Sequence, residues 1–165
     1  MRVPIRKSEK YTHLPVDPYM TREKFDELTQ KLARMKQSRP ALTKEVARLA
    51  ENGDFSENAE YQIAKGKLRG LNQRMLETEA HLNRAIIIPV GSTGGIVQMG
   101  STVTIESSGQ QKTFRILGSS ETKPESGIIS HQSPIGVALI GKRVGDEAIL
   151  KTKKSETKYH VVRIA

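Results

Sequence analysis

The chain contains no cysteine and no tryptophan, and aromatic residues make up only 4% of its 165 positions. Without cysteine there can be no disulfide, no thiol nucleophile and no zinc site built on thiolates. No apolar run approaches the ~20 residues of a membrane span, and the N-terminus lacks the apolar core of a signal segment. A cytoplasmic protein with no membrane contact is expected. Net negative charge is also missing: 27 Lys and Arg outweigh 18 Asp and Glu. That surplus points to a polyanionic partner or a place within a nucleoprotein assembly.

What the chain does have is a double apolar register. Phe25, Leu28, Leu32, Met35, Leu42, Val46 and Leu49 fall at alternating steps of three and four, with Arg39 in the one missing position. Tyr61, Ala64, Leu68, Leu71, Met75, Thr78, Leu82 and Ala85 repeat the alternation. Each is a heptad seam. The two seams mirror one another about residue 55: Phe25 reflects onto Ala85, Met35 onto Met75, Leu49 onto Tyr61. Mirror symmetry is what two antiparallel helices folded on each other require. At ~1.5 Å per residue the arm would be about 45 Å long. Pro40 is expected to kink or restart the first helix. Gly66 and Gly70 weaken the second.

Charge follows this arm. Residues 28–50 and 61–76 carry ten basic side chains and one acid, Glu45. The fold-back, 51–60, carries Glu51, Asp54, Glu57 and Glu60 and no base. Asp54 and Glu57 have the spacing of a helix capping box, which alone accounts for both. They also have the oxygen chemistry of a hard divalent cation site. Mg²⁺ keeps several waters and uses one or two carboxylates, so such a site on a tip would be completed by another molecule. Spacing leaves both readings open.

Periodicity changes near Ile88. Residues 89–95, PVGSTGG, form a Pro/Gly-rich linker, and residues 96–165 read as a small α+β domain. Strands are expected near 101–106, 112–117, 127–130, 147–152 and 157–164, with a turn at Ser107–Gln110. One helix is expected over 133–141, with Ser133 as cap and Pro134 in the first position. Residues 1–18, with three prolines and four basic side chains, read as a loose tail, and residues 19–88 as the arm. Thr21 suits the cap of the first helix. The four histidines show no ligand spacing.

Two segments, GDFSENAEYQIAKGKLRGL and ISHQSPIGVALIGKRVGDEAILKT, resemble the coiled-coil tip and the FKBP-like C-terminal domain of the bacterial Gre transcript cleavage factors. The resemblance spans about residues 19–165. It implies a monomeric, non-enzymatic elongation factor that docks at the rim of the RNA polymerase secondary channel. Its coiled coil would enter the channel, and its tip acids would help hold a Mg²⁺ shared with the polymerase active site. The isolated protein would bind no ion tightly. The matching acids are Asp54 and Glu57. Lys65, Lys67 and Arg69, with Ser56 and Asn58, would contact the backtracked RNA 3′ end or the channel wall. Gln132, Ser133 and Pro134 match the polymerase-docking loop. Some members carry Asp where this chain has Gln132. Inhibitory channel binders share the fold, so obstruction is the alternative to stimulation. A free-standing nuclease is disfavoured by the sparse ligand set. With only Phe114 and Tyr159 as aromatics in the C-terminal half, prolyl isomerase activity is not expected. A plain coiled-coil interaction module with a capped turn is the remaining alternative.

Overall fold

The computed structural model describes residues 16–51, 59–89, 91, 94–151 and 156–165. The chain is α+β: a helical hairpin followed by a sheet domain. Helix α1 spans Arg22–Ala50 and α2 spans Ala59–Asn83. Thr21 caps α1, its Oγ1 accepting from Lys24 N at 3.2 Å. Every seam position of both helices is buried or half-buried except Arg39. Leu32, Met35 and Leu71 form the cluster's centre, with Leu42, Met75 and Leu82 packed on it. Ile63 and Leu76, apolar but off the seam, are 58% and 61% exposed. The mirror register therefore decides burial, and hydrophobicity alone does not.

Two cross-helix contacts flank the seam. Arg39 Nε donates to Asn72 Oδ1 at 2.9 Å, which lets the cation in the seam turn outward. Lys36 pairs with Glu79. Pro40 does not restart α1, which runs unbroken through it. Pro40 sits on the exposed side, so water can hydrate the carbonyl deprived of its partner. Thr43 Oγ1 and Ser38 Oγ donate to the carbonyls of Arg39 and Met35 in the turns around Pro40.

The sheet domain has five strands in the order β5-β4-β3-β7-β6. β3 is Thr102–Ser107, β4 Gln110–Leu117, β5 Ile128–Ser130, β6 Glu147–Lys151 and β7 Glu156–Ile164. β4 and β5 run parallel, and the other neighbours antiparallel. Ser108 and Gly109, both at positive φ, close the β3–β4 hairpin, the conformation that a two-residue hairpin loop demands. Helix α3, Pro134–Leu139, covers one face. Val97, Val103, Ile105, Ile116, Ile129, Leu139, Ala148 and Val161 make the core.

Two strands have no counterpart among the expected ones. Strands β1 (Tyr19–Met20) and β2 (Ile86–Ile87) pair in parallel at the base of the hairpin. Ile86 N donates to Pro18 O at 2.8 Å and Ile88 N to Met20 O at 2.9 Å. The tail expected through residue 18 is accordingly shorter, because Asp17 is buried at 7% exposure. Asp17 Oδ2 accepts from Ser119 N at 2.7 Å, and Oδ1 from Tyr19 N at 3.1 Å. A buried carboxylate satisfied by backbone N–H groups has little reason to be elsewhere.

Two outcomes test this account. Leu71→Ala should destabilise the hairpin by about 2–5 kcal/mol, seen as earlier loss of helical ellipticity on heating while the sheet resonances persist. Burial pushes the Asp17 carboxyl up, but the hydrogen bonds from Ser119 and Tyr19 and the influence of His131 outweigh it, leaving the group below its ordinary 3.8. A lowered folded-state value means stability present above 3.8 and lost as pH falls through the folded value. The urea midpoint should therefore fall below pH 3.8 in the parent, and fall less steeply in Asp17→Asn.

Candidate functional site

Three regions carry the expected site residues. The first is the connection between α1 and α2. Asp54, Ser56, Glu57 and Asn58, with Phe55, lie outside the described residues. The helices that frame them are described. Glu51 closes α1, its N–H donating to Ala47 O at 3.2 Å. Glu60 lies in the first turn of α2, at the positive end of its dipole. Both are exposed. The hairpin thus holds Glu51 and Glu60 at its end remote from β1 and β2. Among the described residues no group of three or more His, Asp or Glu could hold a metal ion.

The second region is the shaft. Lys65, Lys67 and Arg69 are exposed and make no ion pair among the described residues. They do not form one patch. Lys65 and Lys67 point about 200° apart around α2 at 3.6 residues per turn, so they flank opposite sides of the seam. Arg69 lies one turn beyond Lys65. The Lys65 ammonium sits 5.6 Å from the Tyr61 ring centroid, a cation–π contact that holds it near the tip. Lys67 lines a groove of about 430 Å³ with Leu42, Glu45, Arg48, Leu49, Glu60, Ile63 and Ala64. Glu45 is occupied by Arg48 at 2.7 and 3.0 Å. That hydrogen bond lowers the Glu45 carboxyl below its ordinary range and raises Arg48. The one acid of the shaft is thereby neutralised locally, and the shaft keeps its positive field.

The third region is the loop before α3. Ser133 Oγ donates to Ser130 O at 2.6 Å and accepts from Gly136 N at 3.1 Å. Its hydroxyl is used up inside the loop, so Ser133 shapes the loop instead of offering a free donor. Gly136 is required beneath it, since a Cβ there would lie 2.2 Å from Ser130 O. Gln132 and Pro134 are exposed. Val137 and Val144 are 63% and 57% exposed in the same stretch, apolar surface that the periodicity of 133–141 did not single out. A separate groove of about 220 Å³, lined by Ile105, Ser107, Ser108, Gln110, Lys112 and Tyr159, contains one aromatic side chain.

Histidine was the least informative residue in the sequence, yet two of the four converge on Asp17. His81 Nε2 lies 3.1 Å from Asp17 O. His131, one residue before Gln132, stacks edge-on against Tyr19 and places Nδ1 3.5 Å from Asp17 Oδ2. That buried Nδ1 has no hydrogen-bond partner among the described residues. No spacing signal could have found this cluster, because its members are 64 and 114 positions from Asp17.

Comparison with known proteins gives the setting. The family model "Transcription elongation factor, N-terminal" matches residues 18–87, and "Transcription elongation factor, GreA/GreB, C-term" matches residues 92–165. The transcription elongation factor GreA of Cereibacter sphaeroides is 38% identical over 148 residues, covering 88% of this chain and 98% of that protein. GreA of Paracoccus denitrificans is 36% identical, covering 88% and 95%. The crystal structure of GreA factor homolog 1 (Gfh1) of Thermus thermophilus is 31% identical, covers 88% and 97%, and has a TM-score of 0.41. With both halves matched in order by the family's own models, this chain belongs to the GreA/GreB family of transcription elongation factors.

Proposed function

We propose that this protein binds bacterial RNA polymerase at the rim of its secondary channel and stimulates the polymerase's own cleavage of backtracked RNA. The supporting observation is the hairpin itself. Helices of 29 and 25 residues pack on each other along one seam as a basic shaft, and the chain that joins them carries Asp54 and Glu57. An arm two helices wide, about 20 Å across at most, fits a channel that a globular domain cannot enter.

Asp54 and Glu57 are the metal-assisting acids. Their carboxylate oxygens suit Mg²⁺, and two of them leave positions for water, phosphate and the polymerase's acids. Mg²⁺ bound there supplies Lewis-acid charge stabilisation and an activated water for phosphodiester hydrolysis. The chain's own part is to bring the acids in, orient them with Ser56 and Asn58 beside them, and offset their negative charge. Lys65 and Arg69 on one side and Lys67 on the other contact RNA phosphates or channel walls without sequence preference. Gln132 and Pro134 supply docking contact, and Ser133 fixes their loop. The protein catalyses nothing alone, because the site is complete only with the polymerase.

The test is cleavage of labelled RNA in purified backtracked elongation complexes over a Mg²⁺ series. The parent should speed release of 3′ fragments. Asp54→Asn should lose stimulation on the order of 10- to 100-fold while competing for polymerase as well as the parent. Slowed elongation without cleavage would make the protein an obstructor of the channel instead. A second outcome concerns docking. Ser133→Ala should lower domain stability by about 1 kcal/mol through loss of the cap and weaken competition for polymerase. Gln132→Asp should leave stability unchanged and tighten it.

A further inference from the structure

We propose that Asp17 and Glu121 are positioning residues that fix the direction of the arm relative to the docking loop. The inference rests on the proposed function for its consequence, but not for its geometry.

The covalent route from arm to sheet domain passes through PVGSTGG, where Gly91, Gly94 and Gly95 all adopt positive φ. Such a route sets no direction by itself. Direction comes from the two-residue strand β1. On one edge β1 pairs with β2, the exit of α2, and its next residue, Thr21, starts α1. Both roots of the arm are thus tied to one short strand. On the other side, the sheet domain grips that strand at three points. Asp17 Oδ2 accepts from Ser119 N. Glu121 receives two bonds from Thr21, one from its N–H at 2.8 Å and one from its hydroxyl. Gly118 packs so closely that a Cβ there would lie 1.9 Å from Tyr19 O.

Glu121 does more than close a gap. It takes the N–H of the capping residue while Thr21 Oγ1 still accepts from Lys24 N, so a sheet-domain carboxylate sits at the positive end of α1. Asp17 in turn faces His131, which directly precedes the docking loop and is anchored by its own N–H to Leu117 O at 3.0 Å. The arm is therefore referenced to the loop and not merely to the domain. Leverage makes this matter: α1 has 29 residues, about 44 Å of rise, so a tilt of about 10° at the base moves the tip by about 8 Å. A metal site tolerates about 0.5 Å.

The cysteine-free chain makes a direct test simple. Spin labels at Lys44→Cys in α1 and Val162→Cys in β7 report the distance across the joint. A Lys44→Cys/Arg74→Cys pair, both within the arm, is the control. The parent should give one narrow cross-joint distribution. Glu121→Ala should broaden it severalfold while the control pair stays unchanged. Thr21→Ser should keep it narrow, and Thr21→Val, which loses the hydroxyl bond but keeps the backbone N–H bond to Glu121, should broaden it less than Glu121→Ala does. In the cleavage assay Glu121→Ala should lower maximal stimulation by about tenfold or more, with the half-effective concentration unchanged. An unaltered cross-joint distribution in Glu121→Ala overturns the proposal, as does a broadened one with full stimulation. If Asp17→Ala fails to fold, Glu121→Ala, at a half-buried position, still decides. The distances are measured on the free chain, so absence of stimulation by the parent would refute the proposed function and leave this result standing.

Discussion

Two helices on their own have one interface between them, and everything else about the arm depends on that constraint. Each helix can bury a single stripe, so the stripe must be continuous, correctly phased and matched to its reverse. Leu32, Met35 and Leu71 supply the centre of it. The rest of the circumference is free of packing demands. It can therefore carry the lysines and arginines that give the shaft its field, with Glu45 folded onto Arg48 and Glu79 onto Lys36. A thin cross-section, a polar surface and a long reach are one solution to one packing problem.

That same constraint explains which parts of the molecule could be read from its sequence. The seams were legible because burial in a hairpin is set by periodicity, and periodicity is local. The five strands and α3 were legible because alternation, a two-residue turn at Ser108–Gly109 and a Ser–Pro start are local as well. Membership of the Gre family was legible in the two quoted segments. β1 and β2 were not, since two residues cannot display a period. Asp17 and Glu121 were hidden for a related reason, as was the second role of Thr21 beyond the expected cap: the partners lie about a hundred positions away. The restart allowed for at Pro40 does not occur. Its local penalty is real, but a long helix held along its inner face can leave one carbonyl to water.

Lys65, Lys67 and Arg69 show where a string of like residues misleads. Adjacent in sequence, they divide around α2, and each meets a different neighbourhood: Tyr61 for Lys65, the Glu45–Arg48–Glu60 groove for Lys67. A helix turns neighbours in the chain into strangers in space, and it brings residues three or four apart together. The arm thus presents positive charge on both flanks. That arrangement suits insertion between walls better than attachment to a single face.

The packing at Gly118 has a consequence of its own. Its missing side chain is the clearance of a bearing, because a methyl group there would collide with the Tyr19 carbonyl. A shim about 1 Å thick in a joint about 10 Å wide is a tilt of about 6°, or about 4 Å at the end of a 44 Å arm. A substitution that touches neither the acids, the basic flanks nor the docking loop would thus misalign the acids and flanks, which move together on the arm, with respect to the loop. At this position, a single carbon atom works as a protractor.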